Sequence, residues 1–84
     1  MGTKNSPGEY DCYANAEPDE PMFVLLARDP LAAYLVRIWA SARAWTRGED
    51  AKTQEARRCA DAMDAWCVIR GSRMVNSESR TNRY

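Results

Sequence analysis

The chain has 84 residues, and its 12 Lys and Arg side chains balance its 12 Asp and Glu side chains, which gives a formal net charge of zero. A chain of this length holds one small domain, so a multidomain enzyme is excluded. The sequence also lacks histidine, which excludes Ser-His-Asp and Cys-His nucleophiles and the common zinc sites, and we therefore expect no enzyme activity, no metal and no cofactor.

Residues 1–20 predict an acidic, flexible N-terminal arm. They carry five acids against one base, Lys4, and they include Pro7 and Pro18. The segment keeps neither the alternation of a strand nor the period of a helix for long enough to predict an element, and its charge favours mobile chain. We therefore expect the folded domain to span residues 21–71.

One short apolar strand is predicted next, at residues 22–28. Pro21 precedes this run and Asp29-Pro30 follows it, so turn signals bound it on both sides. The run is apolar on both of its faces, which is typical of a strand that is covered on two sides. Because the sequence offers no second strand of equal quality, we expect this one to pair with a second copy, with the arm or with a partner's sheet.

The first of two helices is predicted from residue 30 to about residue 46. Asp29 and Pro30 form a typical helix start, because the aspartate caps backbone N–H groups and the proline needs none. One apolar stripe consists of Leu31, Leu35, Ile38, Ala42 and Trp45, and the opposite side carries Ala33, Val36, Ala40 and Ala44. A helix that is apolar nearly all round lies inside a core or in an interface.

The second helix is predicted between Gly48, which ends the first helix, and Gly71. Glu49 and Asp50 lie in its first turn, where acids favour the positive end of the helix dipole. Its apolar face consists of Ala56, Cys59, Ala60, Met63, Trp66 and Cys67. The other face is polar, so we expect this helix to pack antiparallel to the first as a hairpin. Residues 72–84 predict a polar, basic tail.

The predicted fold is therefore mainly α: a short strand and a two-helix hairpin, completed by homodimerisation through the strand or the first helix. The three cysteines, Cys12, Cys59 and Cys67, form no Cys-x-x-Cys pair, which favours a reducing compartment such as the cytoplasm. The longest strongly apolar run, residues 21–27, is far shorter than the roughly 18 residues that a membrane helix needs. We expect no membrane partner.

Apolar and aromatic side chains of the strand and the first helix form the candidate interface. It consists of Met22, Phe23, Val24, Leu25, Leu26, Tyr34 and Trp39. An alternative is a ligand site in which arginines hold a phosphate and an aromatic ring stacks on a base. That site would consist of Arg28, Arg37, Trp39 and Arg43.

A further alternative comes from the order strand, helix, helix, which is also that of ribbon-helix-helix DNA-binding regulators. Their strands send polar side chains to the edges of bases, whereas residues 22–28 are apolar on both faces. The zero net charge also gives no general attraction to phosphates. Nucleic acid is therefore not the expected partner.

Three segments together resemble a group of small accessory proteins encoded by bacteriophages and prophages. They are residues 20–32 (EPMFVLLARDPLA), 36–40 (VRIWA) and 60–66 (ADAMDAW), so the likeness covers about residues 19–67. The resemblance implies a protein that antagonises a host defence inside a bacterial cell, and it carries over no catalytic or binding residue. The first mechanism it implies is protein–protein inhibition of a bacterial defence complex, as anti-CRISPR proteins perform. The alternative is an oligomer that sequesters a nucleotide immune messenger.

Overall fold

The computed structural model describes residues 1–70, and the helices of this part dominate its architecture. Helix α1 is a single turn at Cys12–Asn15, helix α2 spans Ala32–Arg47, and helix α3 spans Ala51–Ile69. Helices α2 and α3 pack against each other, joined by residues 48–50, and the mainly-α prediction is confirmed. The predicted tail at residues 72–84 lies outside the described residues. Within the described range, no helix is both long and apolar enough to cross a membrane.

The N-terminal segment contains α1 and contacts α3. Asp11 caps α1, because its side chain accepts hydrogen bonds from the backbone N–H groups of Tyr13 and Ala14. Farther back, the backbone N–H groups of Glu9 and Tyr10 donate to a side chain of α3. The segment therefore lies against α3 in this structure. The flexibility of residues 1–20 stays a prediction.

The structure corrects the predicted strand. Residues 22–28 form irregular chain that ends in a turn, in which Asp29 N donates to Leu26 O at 2.9 Å. A strand needs a second strand to pair its backbone groups, and residues 1–70 supply none. The thiol of Cys67 instead donates to Ala27 O at 3.2 Å, which holds the run against α3. The ribbon-helix-helix hypothesis and a dimer through this strand both lose the element on which they depended.

Helix α2 begins two residues later than the sequence predicts and ends at the expected glycine. Asp29 does not cap the helix, since its carboxylate accepts from Leu31 N at 2.9 Å and closes a local turn around Pro30. Gly48 lies just beyond the last turn with φ of 88° and donates its N–H to Ala44 O at 2.7 Å. Such a positive φ favours glycine, because it lacks a Cβ.

Helix α3 begins with a reciprocal cap. The Asp50 carboxylate accepts from Thr53 N at 2.9 Å, and the Thr53 hydroxyl accepts from Asp50 N at the same distance. Two backbone N–H groups at the start of the helix are thereby satisfied. Thr53 is fully buried and is the largest fully buried side chain among residues 1–70.

The contact between α2 and α3 is formed by small side chains, and we call it the alanine seam. Its fully buried residues are Ala32 and Ala40 of α2 and Ala56 and Ala60 of α3. Arg37 of α2 bridges Asp61 and Asp64 of α3 with N···O distances of 2.8 Å. Nearer the connection, Arg57 of α3 donates to the Ser41 hydroxyl of α2 at 3.5 Å. Because α2 residues of rising number meet α3 residues of falling number, the two helices run antiparallel, as predicted.

The apolar stripe of α2 lies on the outside of the hairpin. Leu31, Leu35, Ile38 and Trp45 are all exposed, Trp45 to 89%. The sequence gives α2 two apolar faces, and the structure places the small one against α3. The face that holds the larger side chains is left to solvent.

Candidate functional site

A buried carboxylate holds the N-terminal segment in place. Glu55 of α3 is only 8% exposed, and its carboxylate accepts from the Met1 ammonium at 2.8 Å, from Tyr10 N at 3.0 Å and from Glu9 N at 2.9 Å. These hydrogen bonds, with that of the ammonium first, lower the pKa of Glu55 to about 2. The carboxylate is therefore charged at neutral pH and fastens residues 1–10 to α3.

A cleft of about 570 Å³ opens between this N-terminal segment, residues 20–25 and α2. Its apolar walls include Met22, Phe23, Leu25, Leu35, Val36 and Trp39, and polar groups of Tyr10, Asp11, Asn15, Glu20 and Lys52 also line it. Binding pockets for small ligands have about this volume and this mixture of apolar walls with a few polar groups.

Two cations lie near the Trp39 ring beside the cleft. Lys52 Nζ is 6.0 Å from the centroid of the Trp39 ring and also 6.0 Å from that of the Tyr10 ring. Arg43 Cζ is 5.7 Å from the Trp39 ring centroid, and its guanidinium is held by Asp50 at 3.2 Å. These distances allow attraction between the cations and the aromatic faces. The indole remains 42% exposed, so a ligand can reach it.

The residues of the predicted interface lie largely at the surface. Phe23 is 84% exposed, and Met22, Val24, Leu26, Tyr34 and Trp39 are exposed to lesser degrees. Leu25 is partly buried. Met22, Phe23, Leu25 and Trp39 line the cleft, whereas Val24, Leu26 and Tyr34 lie outside its lining. The structure thus divides the predicted interface between a cleft and its surroundings.

The residues of the predicted ligand site separate into different surroundings. Trp39 and Arg43 lie together, but Arg37 points to α3, where hydrogen bonds to Asp61 and Asp64 raise its pKa. Arg28 lies in the turn before α2. A phosphate near Trp39 would therefore meet Lys52 and Arg43, of which Arg43 already pairs with Asp50, while the charge of Arg37 is balanced by two carboxylates.

Three residues of this region were missed by the sequence analysis: Tyr10, Lys52 and Glu55. Lys52 and Glu55 each lie one helical turn before an apolar-face residue of α3, Ala56 and Cys59 respectively. That spacing could have placed them beside the hairpin. Tyr10 carried no comparable signal, because the segment around it has no period.

No group of three or more acidic or cysteine side chains that could hold a metal ion occurs within residues 1–70.

Comparisons with known proteins leave the family open. No family model matches the chain, and neither curated proteins nor solved structures give a significant match.

Proposed function

We propose that this chain is a non-enzymatic binding protein that acts by protein–protein contact through the cleft and its apolar rim, which consists of Met22, Phe23 and Val24. The observation that carries the proposal is Phe23, whose side chain is 84% exposed beside the exposed Met22, Val24 and Trp39. A contiguous apolar patch of this kind marks interaction sites more often than ordinary surface. Aromatic and methionine side chains are also the ones enriched in protein interfaces.

The rim is held ready for contact by several hydrogen bonds. Cys67 holds Ala27 against α3, the turn from Leu26 to Asp29 closes the run, and Glu55 fixes the segment across the cleft. A surface that is fixed before binding loses less conformational entropy when the partner arrives. This supports a role for Phe23 as an anchor that enters a pocket of the partner.

Charge around the cleft supports a partner with a basic surface. Asp11 and Glu20 line the cleft, and three further acids, Glu9, Glu17 and Asp19, lie in the same N-terminal segment. Opposite potentials on two surfaces speed their association and select the partner. Proteins that bind nucleic acid have basic surfaces of this kind.

The target class follows from the resemblance to phage accessory proteins. A bacterial defence complex that handles nucleic acid would offer basic surroundings, and a small protein seated there would block it. We therefore propose inhibition of such a complex in the bacterial cytoplasm, in the manner of anti-CRISPR proteins.

Phage challenge of bacteria that carry single defence systems tests this proposal. We expect the wild-type chain to restore plaques against a defence whose effector binds nucleic acid, and Phe23→Glu to abolish the effect by placing a charge at the anchor. Val68→Glu is the matched control, because Val68 is also exposed but lies near the end of α3. If plaques are still restored with Phe23→Glu, or if the wild-type chain restores plaques against none of the systems, the proposal is contradicted.

A second candidate function is sequestration of a nucleotide messenger, and it is favoured by the two cations, Lys52 and Arg43, that lie near the Trp39 ring. The ring would stack on a base and the cations would pair with phosphate. A ligand that binds only the folded state raises the melting temperature. Cyclic dinucleotides and NAD-derived nucleotides that stabilise the wild-type chain but not Lys52→Gln would favour this function over inhibition.

A further inference from the structure

The outer face of α2 carries a heptad pattern that the cleft does not explain. Leu31, Leu35, Ile38, Ala42 and Trp45 follow one another at spacings of four, three, four and three residues. This is the spacing at which one helix packs along another in a coiled coil. All five side chains are exposed in the single chain.

No charged side chain interrupts this stripe or its immediate flanks. Tyr34 and Ser41 lie on one side of it, and Trp39 and Thr46 lie on the other. The two arginines in the middle of α2 are held elsewhere: Arg37 by Asp61 and Asp64 of α3, and Arg43 by Asp50 at the start of α3. A second copy that approached this face would therefore meet no like charge.

We propose that the stripe of α2 is the interface between two copies of this chain, with the two α2 helices antiparallel. Pairing centred near residue 40, the middle of Ala32–Arg47, places Leu35 opposite Trp45 of the second copy and Ile38 opposite Ala42 of the second copy. Each small or shorter side chain then faces a larger one. The same surface serves both copies, as a two-fold interface requires.

The area of the stripe is sufficient for a specific dimer. Helix α2 has 16 residues and is about 24 Å long. Tyr34 and Trp45 are 62% and 89% exposed, a large share of the roughly 150–250 Å² that an aromatic side chain buries, and Leu31, Leu35 and Ile38 add further area. Two copies would together bury on the order of 1,000 Å² or more, the level at which specific interfaces begin.

The dimer does not depend on the proposed inhibition. It rests on the outer face of α2, whereas the cleft lies on the side of α2 that faces the N-terminal segment, and only Leu35 belongs to both. Loss of the dimer would leave the Phe23 anchor exposed, so the two proposals fail in different experiments.

Light scattering of the full chain after gel filtration tests the dimer. At about 100 µM protein, where mass action favours association, we expect twice the monomer mass of 9.5 kDa for wild type and for the control Val68→Glu. We expect the monomer mass for Ile38→Glu, whose helical circular dichroism should match wild type because Ile38 is 46% exposed in the single chain. If that variant unfolds, Ala42→Glu takes its place. A monomeric wild type, or a dimeric Ile38→Glu, overturns the proposal.

Paired charge substitutions test the antiparallel order. Leu35→Glu and Trp45→Lys should each give monomers, because each buries charge in the interface. The double variant should regain the dimer, since the antiparallel pair places each new carboxylate opposite a new ammonium, whereas a parallel pair would place like charges together. A double variant that stays monomeric contradicts the antiparallel order.

Discussion

The two apolar faces of α2 differ in their surroundings. The inner face buries Ala32 and Ala40 completely against α3, whereas the outer face leaves Ile38 and Trp45 in solvent. Small side chains let two helices approach closely, but each removes little apolar surface from water, and the hydrophobic gain scales with that surface. The hairpin is thus closed by small side chains that fit together, and most of the apolar surface of α2 stays exposed in the single chain.

The strictest test of this contrast is a larger side chain in the alanine seam. Ala60→Leu inserts three carbon atoms between helices that touch, and we expect a loss of about 2–3 kcal/mol in the free energy of unfolding from overpacking. Ala62→Leu, at an exposed position of the same helix, should change it by less than about 0.5 kcal/mol. Urea denaturation measures both, and an equally stable Ala60→Leu would contradict a tightly closed seam.

The connection between α2 and α3, residues 48–50, gives the next largest expected effect. Gly48 has φ of 88° and ψ of 156°, a combination that costs other residues about 1–3 kcal/mol. We expect Gly48→Ala to lower the free energy of unfolding by about 1–2 kcal/mol through the backbone alone, because an added Cβ meets no atom within 4 Å. Thermal unfolding checks this, with Arg47→Ala as the neighbouring control. If Gly48→Ala kept the melting temperature of the wild type, the backbone of the connection would have to relax around the new side chain.

The buried cap of α3 gives a smaller effect. Thr53→Val keeps the shape of the side chain but removes the hydroxyl that accepts from Asp50 N and donates to Asp50 O. We expect a loss of about 1 kcal/mol, the usual net value of such hydrogen bonds. Thr53→Ser keeps the hydroxyl and should retain the cap. If Thr53→Val melts like the wild type and Thr53→Ser melts at a lower temperature, the methyl group and not the cap stabilises this end of the seam.

The pH dependence of stability reports on the carboxylate that holds the N-terminal segment. The pKa of Glu55 is lowered from 4.5 to about 2 in the folded chain, so its stabilising contribution is complete above pH 4.5 and is lost as the pH falls towards 2. We expect Glu55→Gln to lack this part of the acid transition. Urea unfolding of both chains at several acid pH values measures it, and parallel profiles would show that Glu55 is not anchored.

The sequence predicted the parts of the fold that depend on local chemistry. The periodicity of residues 30–70 and the glycine at position 48 were enough to locate both long helices. The strand at residues 22–28 was wrong because an apolar run specifies a strand only when another strand is available to pair with it. The local sequence pattern of residues 22–28 does not show whether a second strand is present.

The orientation of α2 and the cleft were beyond the sequence for a different reason. Because α2 is apolar on both faces, its period does not say which face meets α3, and only the close approach to Ala56 and Ala60 decides between them. The cleft depends on contacts such as that between Tyr10 and Glu55, which are 45 residues apart. Such long-range contacts leave no mark in a local pattern.

Trp45 reports whether α2 turns its small side chains inward and its large ones outward. In the double variant Trp39→Phe/Trp66→Phe, Trp45 is the one indole that remains, and acrylamide quenching of its fluorescence measures its exposure. In dilute solution, where a dimer dissociates, we expect quenching close to that of a free indole, with protection as the concentration rises. An indole that is protected at every dilution would mean that the face of α2 with the larger side chains lies inside the hairpin, which is the opposite of the orientation described above.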